Sequence, residues 1–156
     1  MAGFSFLESS VKCDGVDLST IADREGTPVY VYSRQYLEQR YTALDNSLRE
    51  HAHCIHYALK ANSTFGLVKV IQELGSGVDA NSGTEISVAL RAGFSPEDVV
   101  FTGVGKTQAE LDFALSVGVN TINAESLGEL DRIDILARAR GVQARVAIRV
   151  NPDVDA

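Results

Sequence analysis

The sequence predicts an α/β protein built on parallel strands, and three observations carry the prediction. First, β-prone runs recur at 54–59, 77–80, 99–102, 121–124 and 146–150, starting 22 to 25 residues apart. Second, stretches of helical periodicity lie between them, at about 65–74, 83–92, 107–117 and 126–140. Third, each helical stretch ends at or beside a glycine (Gly75, Gly93, Gly118 or Gly141), the residue that most readily takes the left-handed backbone closing a helix. Strands alternating with helices make βα units and hence a parallel sheet. Two architectures accommodate such units, an open doubly wound sheet and a (β/α)8 barrel. The even spacing and short connections favour the barrel, of which about five of the eight strands are accounted for. A sheet stopping after the last run leaves an edge and a face to cover, so the expectation is a partial barrel in a sequence that looks cut short.

The elements follow in order. Residues 1–33 read as a leader, with a short helix at 18–25, a turn at Gly26-Thr27-Pro28 and a strand at 29–32. A helix at about 34–50 carries Leu37, Tyr41, Leu44 and Leu48 at helical spacing, a stripe read as core packing. Residues 34–156 are then the first half of the barrel. Its first strand runs directly into Lys60, in HCIHYALKANSTFG. Thr107 and Glu110 have the spacing of a capping box at the start of the third helix of the repeat region.

Composition narrows the function classes. The chain has 156 residues, 45% apolar and 22% charged, enough for one ordinary domain with a core. Its net charge is −7 with Lys and Arg scattered, which argues against a nucleic-acid surface and against an anionic membrane. No apolar run approaches the roughly 20 residues of a membrane span. The opening MAGFSFLESSVKCDG lacks a basic segment followed by a long apolar one, so no secretory signal is expected and a cytoplasmic location is. In that setting Cys13 and Cys54 are expected as reduced thiols.

In a barrel, chemistry gathers at the C-terminal ends of the strands. The residues that fall there are Lys60, Asp79, Thr102 with Gly103, Glu125, and Arg149 to Asn151. A ring of polar side chains following apolar runs could hold a bound group; the alternative is ordinary strand-end residues facing solvent. Lys60 has a specific possible use. A lysine partly desolvated at a strand end has a lowered pKa and can form a Schiff base with an aldehyde. Asp79 and Arg149 on the same rim could set its charge. The alternative is a surface lysine.

Three motifs do not hold up. GVGKT at 103–107 resembles the end of a phosphate-binding loop, but the glycine required five residues before Gly105 is Val100. His51, His53 and His56 cluster, yet the pair of a barrel metal site follows a strand and this pair precedes one, so no metal is expected. GSGVDANSG lacks the spacing of a dinucleotide fingerprint.

YALKAN followed by LVKVIQELG is similar to the cofactor-attachment segment of the ornithine/diaminopimelate/arginine decarboxylase family. The agreement comprises Tyr57, Ala58, Lys60, Ala61 and Asn62, then apolar Leu67, Val68 and Ile71, then Gly75. GTPVYVYS, VDANSGTEISVALRAGF, VVFTGVGKTQAELDFAL, INAESLGEL and RVAIRVNPDVDA resemble further family segments, in order, over nearly all of residues 14–156 and in the diaminopimelate branch. Thr84 stands where that branch usually has glycine.

The resemblance implies a pyridoxal-phosphate-binding (β/α)8 barrel, with the leader joining a C-terminal β-domain in the full protein. It implies a homodimer that takes a small amino acid, converting meso-2,6-diaminopimelate to L-lysine and carbon dioxide in lysine biosynthesis. By the same resemblance Lys60 is the lysine that binds pyridoxal 5′-phosphate, and Asp79, Arg149 and Glu85 lie at the cofactor. The family's stacking histidine, glycine-rich phosphate loop, pyridine-pairing acid and catalytic cysteine match no residue here, so little activity is expected of residues 1–156 alone. Alternative readings are another basic amino-acid decarboxylase of the same fold, or a non-catalytic pyridoxal-phosphate-binding relative.

Overall fold

The computed structural model describes residues 3–7 and 10–152. They fall into two compact units, divided between His53 and Cys54.

The first unit holds a three-stranded antiparallel sheet of β1 (Phe4–Leu7), β2 (Ser10–Cys13) and β3 (Val16–Asp17). Between β2 and β3 the chain reverses at Asp14-Gly15, both with positive φ (49° and 85°), as the mirror-image two-residue hairpin turn requires. Asp17 then caps helix α1 (Leu18–Glu25) by accepting the Ser19 N–H at 2.9 Å. Ser33 caps α2 (Arg34–Leu48), accepting the Tyr36 N–H at 3.0 Å and donating its own proton to Asp14 Oδ1 at 2.6 Å.

Two expectations for this unit are corrected. The strand expected at 29–32 does not form: its alternating β-branched and aromatic residues find no ladder partner among the described residues, and Tyr30 is 88% exposed. The stripe on α2 is not core either. No residue of α2 is buried, and Leu44 is 50% exposed. Helical spacing identifies an apolar face without guaranteeing a neighbour to cover it.

The second unit is a five-stranded parallel sheet: β4 (His56–Ala58), β5 (Gly77–Ala80), β6 (Val99–Phe101), β7 (Thr121–Ala124) and β8 (Val146–Ile148). Its strand order is strictly sequential, β4-β5-β6-β7-β8. A doubly wound sheet reverses its order at a switch point, whereas a barrel does not, so the winding is that of a (β/α)8 barrel over five strands. Helices α3 (Phe65–Glu73), α4 (Gly83–Ala92), α5 (Gln108–Val117) and α6 (Leu127–Arg140) connect the strands.

The two faces of this sheet differ. Val78, Ala80, Val99, Phe101, Ile122 and Ala124 are at most 2% exposed and form the core with Val68, Ile71, Ile86, Leu111, Ala114 and Ile133 of the helices. The alternate residues Gly77, Asp79, Val100, Thr121 and Asn123 share the other face and are only half-buried. That is the face a barrel turns inward.

Helix ends follow the expected chemistry. Gly93, Gly118 and Gly141 take left-handed conformations at the ends of α4, α5 and α6. After α4, Gly93 N–H bonds the Leu90 carbonyl and Phe94 N–H the Ala89 carbonyl, the paired closure that satisfies the last carbonyls. Thr107 and Glu110 form a reciprocal capping box on α5. Glu110 also accepts the Gly83 N–H at the start of α4 (3.0 Å), and these donors hold its carboxyl below the usual range. Cys13 and Cys54 are free thiols, and burial pushes the Cys13 thiol up. Among the described residues no helix is long and apolar enough to cross a membrane.

Candidate functional site

The C-terminal ends of β4 to β8 bring the expected residues to one rim, each by a different local device. Lys60 is carried by a single 3-10 turn, Leu59–Ala61, immediately after β4. Leu59 is fully buried and anchors the turn. Tyr57 donates its hydroxyl to the Asn62 carbonyl (3.0 Å), and Asn62 Oδ1 accepts the Thr64 N–H (2.9 Å), so the loop is tied on both sides of the lysine. Lys60 itself is exposed and makes no hydrogen bond or ion pair among the described residues. The partial burial expected for it is absent: Lys60 is exposed where the 3-10 turn follows β4.

Asp79 is the β5 residue paired with Ala58 of β4, two positions before Lys60, and lies on the half-buried sheet face. Its Oδ1 accepts the hydroxyl proton of Thr102 at 2.6 Å. Thr102 stands just past β6, its N–H extending the ladder to the Ala80 carbonyl at 2.8 Å.

Glu85 belongs to the turn rather than to the open face. It is the third residue of α4, where Ser82 Oγ accepts its N–H (3.2 Å) and its own carboxylate accepts the Asn81 N–H (2.7 Å). The second carboxylate oxygen makes no hydrogen bond among the described residues.

Arg149 follows β8, its N–H bonded to the Ala124 carbonyl at 3.0 Å. Its guanidinium donates to Glu125 Oε1 at 3.3 Å and to Asn151 Oδ1 at 3.3 Å. The arginine side chain is 53% exposed and Glu125 only 12%, so the pair orients more than it stabilises.

Sequence reasoning passed over Lys106, the lysine of the rejected GVGKT motif. Its side chain is 1% exposed, in an ion pair with Glu129, itself 2% exposed, at 3.3 Å. The ammonium also donates to the carbonyls of Gly103 (2.6 Å) and Asn123 (2.7 Å) and faces the Phe101 ring at 5.4 Å. Glu129 in turn accepts the Glu125 N–H at 2.8 Å. Lys106 thus clasps the loop after β6 to the end of β7 and the start of α6. The signal available was Ser126 followed three residues later by Glu129, a cap spacing that recurs at Ser82 and Glu85.

The described cavities lie elsewhere. One of 210 Å³ sits at the opposite end of the sheet, lined among others by Glu97, Leu115, Ile122 and Arg145. The open rim therefore owes its candidacy to chemistry: an amine and a carboxylate oxygen without partners among the described residues, and an arginine, beside a half-buried sheet face. That donor set fits a small anionic aldehyde, with the amine for attachment and the guanidinium for its charge.

Comparison with known proteins agrees. Residues 34–156 match the family model described as pyridoxal-dependent decarboxylase, pyridoxal binding domain. The chain is 46% identical to the diaminopimelate decarboxylase of Pseudomonas aeruginosa over 156 residues, which is 100% of this chain and 38% of that protein. Among solved structures, the diaminopimelate decarboxylase of m. jannaschii in co-complex with L-lysine superposes with a TM-score of 0.92 at 28% identity, over 99% of this chain and 37% of that one. The Helicobacter pylori diaminopimelate decarboxylase complexed with L-lysine does so with a TM-score of 0.83 at 36% identity, over 88% and 35%. The chain spans 38% of the length of the Pseudomonas relative.

Proposed function

Since the chain belongs to the pyridoxal-dependent decarboxylases, over the segment that forms their pyridoxal-binding domain, we propose that the complete polypeptide carrying residues 1–156 is a diaminopimelate decarboxylase. It converts meso-2,6-diaminopimelate to L-lysine and carbon dioxide. The observation that carries the reading is Lys60: exposed, without a partner among the described residues, on a tied turn at the C-terminal end of β4, two residues past the Ala58 that pairs with Asp79. The 46% identity to a relative of that name supports the substrate.

Pyridoxal 5′-phosphate bound here supplies a sink for the electron pair left when the substrate carboxylate departs. The protein's own residues do the rest. Lys60 offers the attaching amine, which its tied loop holds at a fixed place. Asp79 offers a carboxylate on the same face to balance positive charge, and Arg149 a guanidinium for an anionic group. Glu85 completes the set through its second oxygen while its first maintains the β5–α4 turn. Residues 34–156 are proposed as the cofactor-binding barrel segment and residues 1–33 as a leader that joins a β-domain. A cytoplasmic homodimer acting on a small amino acid is part of the same proposal.

The test is carbon dioxide release from meso-diaminopimelate, L-lysine, L-ornithine and L-arginine by protein made from the complete reading frame. Release confined to diaminopimelate, absent from residues 1–156 alone, supports the proposal. Preference for another basic amino acid, or cofactor binding without release, refutes it.

A further inference from the structure

Asn81, the residue after β5, has a buried side-chain oxygen, Oδ1, with no hydrogen-bond partner among the described residues. A buried acceptor left without a donor is unfavourable, so the surrounding contacts must impose this orientation. Asn81 Nδ2 donates to Thr102 Oγ1 at 3.0 Å, and Thr102 Oγ1 lies 2.6 Å from Asp79 Oδ1. If the amide were reversed, its oxygen would draw the hydroxyl proton to itself. The hydroxyl oxygen and the carboxylate would then face each other at 2.6 Å with no hydrogen between them. With the amine toward Thr102, that hydroxyl has one good acceptor left, Asp79; the Ala80 carbonyl at 3.4 Å is a poor one. The network therefore runs in one direction, Asn81 to Thr102 to Asp79.

Gly103 keeps the path closed. A side-chain carbon there would come within 3.0 Å of Asn81 Nδ2 and 3.3 Å of the Asn81 carbonyl oxygen. The result is an Asp79 carboxylate with one oxygen pinned and the other without a hydrogen bond among the described residues.

We propose that Thr102 is a positioning residue for the Asp79 carboxylate, its hydroxyl directed by Asn81, and that it sets how well the rim retains a cofactor on Lys60. The inference rests on the proposed function. Its role is to act through Asp79, the acceptor of its hydroxyl proton.

The experiment uses protein from the complete reading frame as wild type, Thr102→Ser, Thr102→Val, Asp79→Asn and the double variant Asp79→Asn/Thr102→Val. Each is incubated with limiting pyridoxal 5′-phosphate and reduced with borohydride, and the modified fraction of the Lys60 peptide is measured by mass spectrometry. Loss of one charge-assisted hydrogen bond predicts about a tenfold lower fraction for Thr102→Val. Thr102→Ser, which keeps the hydroxyl, stays within about twofold of wild type, and Thr102→Val adds no further loss once Asp79 is Asn. Circular dichroism checks each fold, and Thr102→Ala replaces Thr102→Val should the latter not fold. Thr102→Val retaining the wild-type fraction overturns the proposal, as does an equal loss with and without the Asp79 carboxylate, or no rescue by serine. A wild type with no modified Lys60 is a different failure: it refutes the proposed function, and this inference falls with it.

Discussion

Replacing Lys106 by Met tests the buried clasp and should be costly for identifiable reasons. The ammonium is 1% exposed and its carboxylate partner Glu129 is 2% exposed. Methionine nearly matches the lysine stem in volume, so packing is largely preserved and the change isolates charge and hydrogen bonding. Three acceptors each lose a donor together: the Gly103 carbonyl, the Asn123 carbonyl and Glu129 Oε2. Glu129 keeps only the Glu125 N–H. Removing one partner of a buried pair destabilises by roughly 3–5 kcal/mol, because the remaining charge is stranded. At a urea slope of about 2 kcal/mol/M, the denaturation midpoint falls by roughly 1.5–2.5 M. The pair Lys106→Met/Glu129→Gln should recover part of that loss, since no charge is then stranded. The assay is urea unfolding followed by circular dichroism at neutral pH. A fall under about 0.5 M for Lys106→Met, the size of a solvated pair, would refute the reasoning.

Further outcomes follow from the same contacts. Glu110 is held below the usual carboxyl range first by the Gly83 N–H and then by Thr107. Its stabilisation is therefore complete above the unfolded value of about 4.3 and is lost as pH falls through the lower folded value. Glu110→Gln is accordingly less stable than wild type at pH 7, and the two urea midpoints converge at strongly acidic pH; a gap that persists or widens in acid contradicts this. Asp112 is lowered chiefly by its hydrogen bond from Arg140, at 2.6 Å, so Arg140→Met should reduce the loss of stability on acidification below about pH 4; identical acid profiles would count against it. Gly103 has φ +93° and abuts the Asn81 backbone, so Gly103→Ala should lower stability by roughly 1–3 kcal/mol, read from the same urea midpoints; an unchanged midpoint would remove the strain argument.

The repeat rhythm was legible because its signals are local. Recurring β-prone runs mark β4 to β8, and Gly93, Gly118 and Gly141 mark helix ends through their own backbone preferences. The capping box of Thr107 and Glu110 was visible for the same reason. What periodicity left open, doubly wound sheet or barrel, was a matter of strand order, which depends on pairing between strands and appears only in the fold. The leader shows the opposite failure. Val29 to Tyr32 has strand composition but no described ladder partner, while β2 and the two-residue β3 pair through an Asp14-Gly15 turn whose dipeptide was a readable hairpin signal. At the site, Lys60, Asp79 and Arg149 reach one rim because strand ends are fixed by the repeat. The exposure of Lys60 and the burial of Lys106 were not legible. Both are lysines after short strands, and only the 3-10 turn in one case, and the facing Glu129 with two carbonyls in the other, separate an open amine from a closed one.

The central claim is that Lys60, and not Lys106, is the amine that takes the cofactor. The direct measurement is tandem mass spectrometry of peptides from the complete polypeptide after pyridoxal 5′-phosphate and borohydride. Modification at Lys60, lost in Lys60→Met and absent from the Lys106 peptide, is the predicted result. Modification at Lys106, or at no lysine of residues 54–152, would contradict the account.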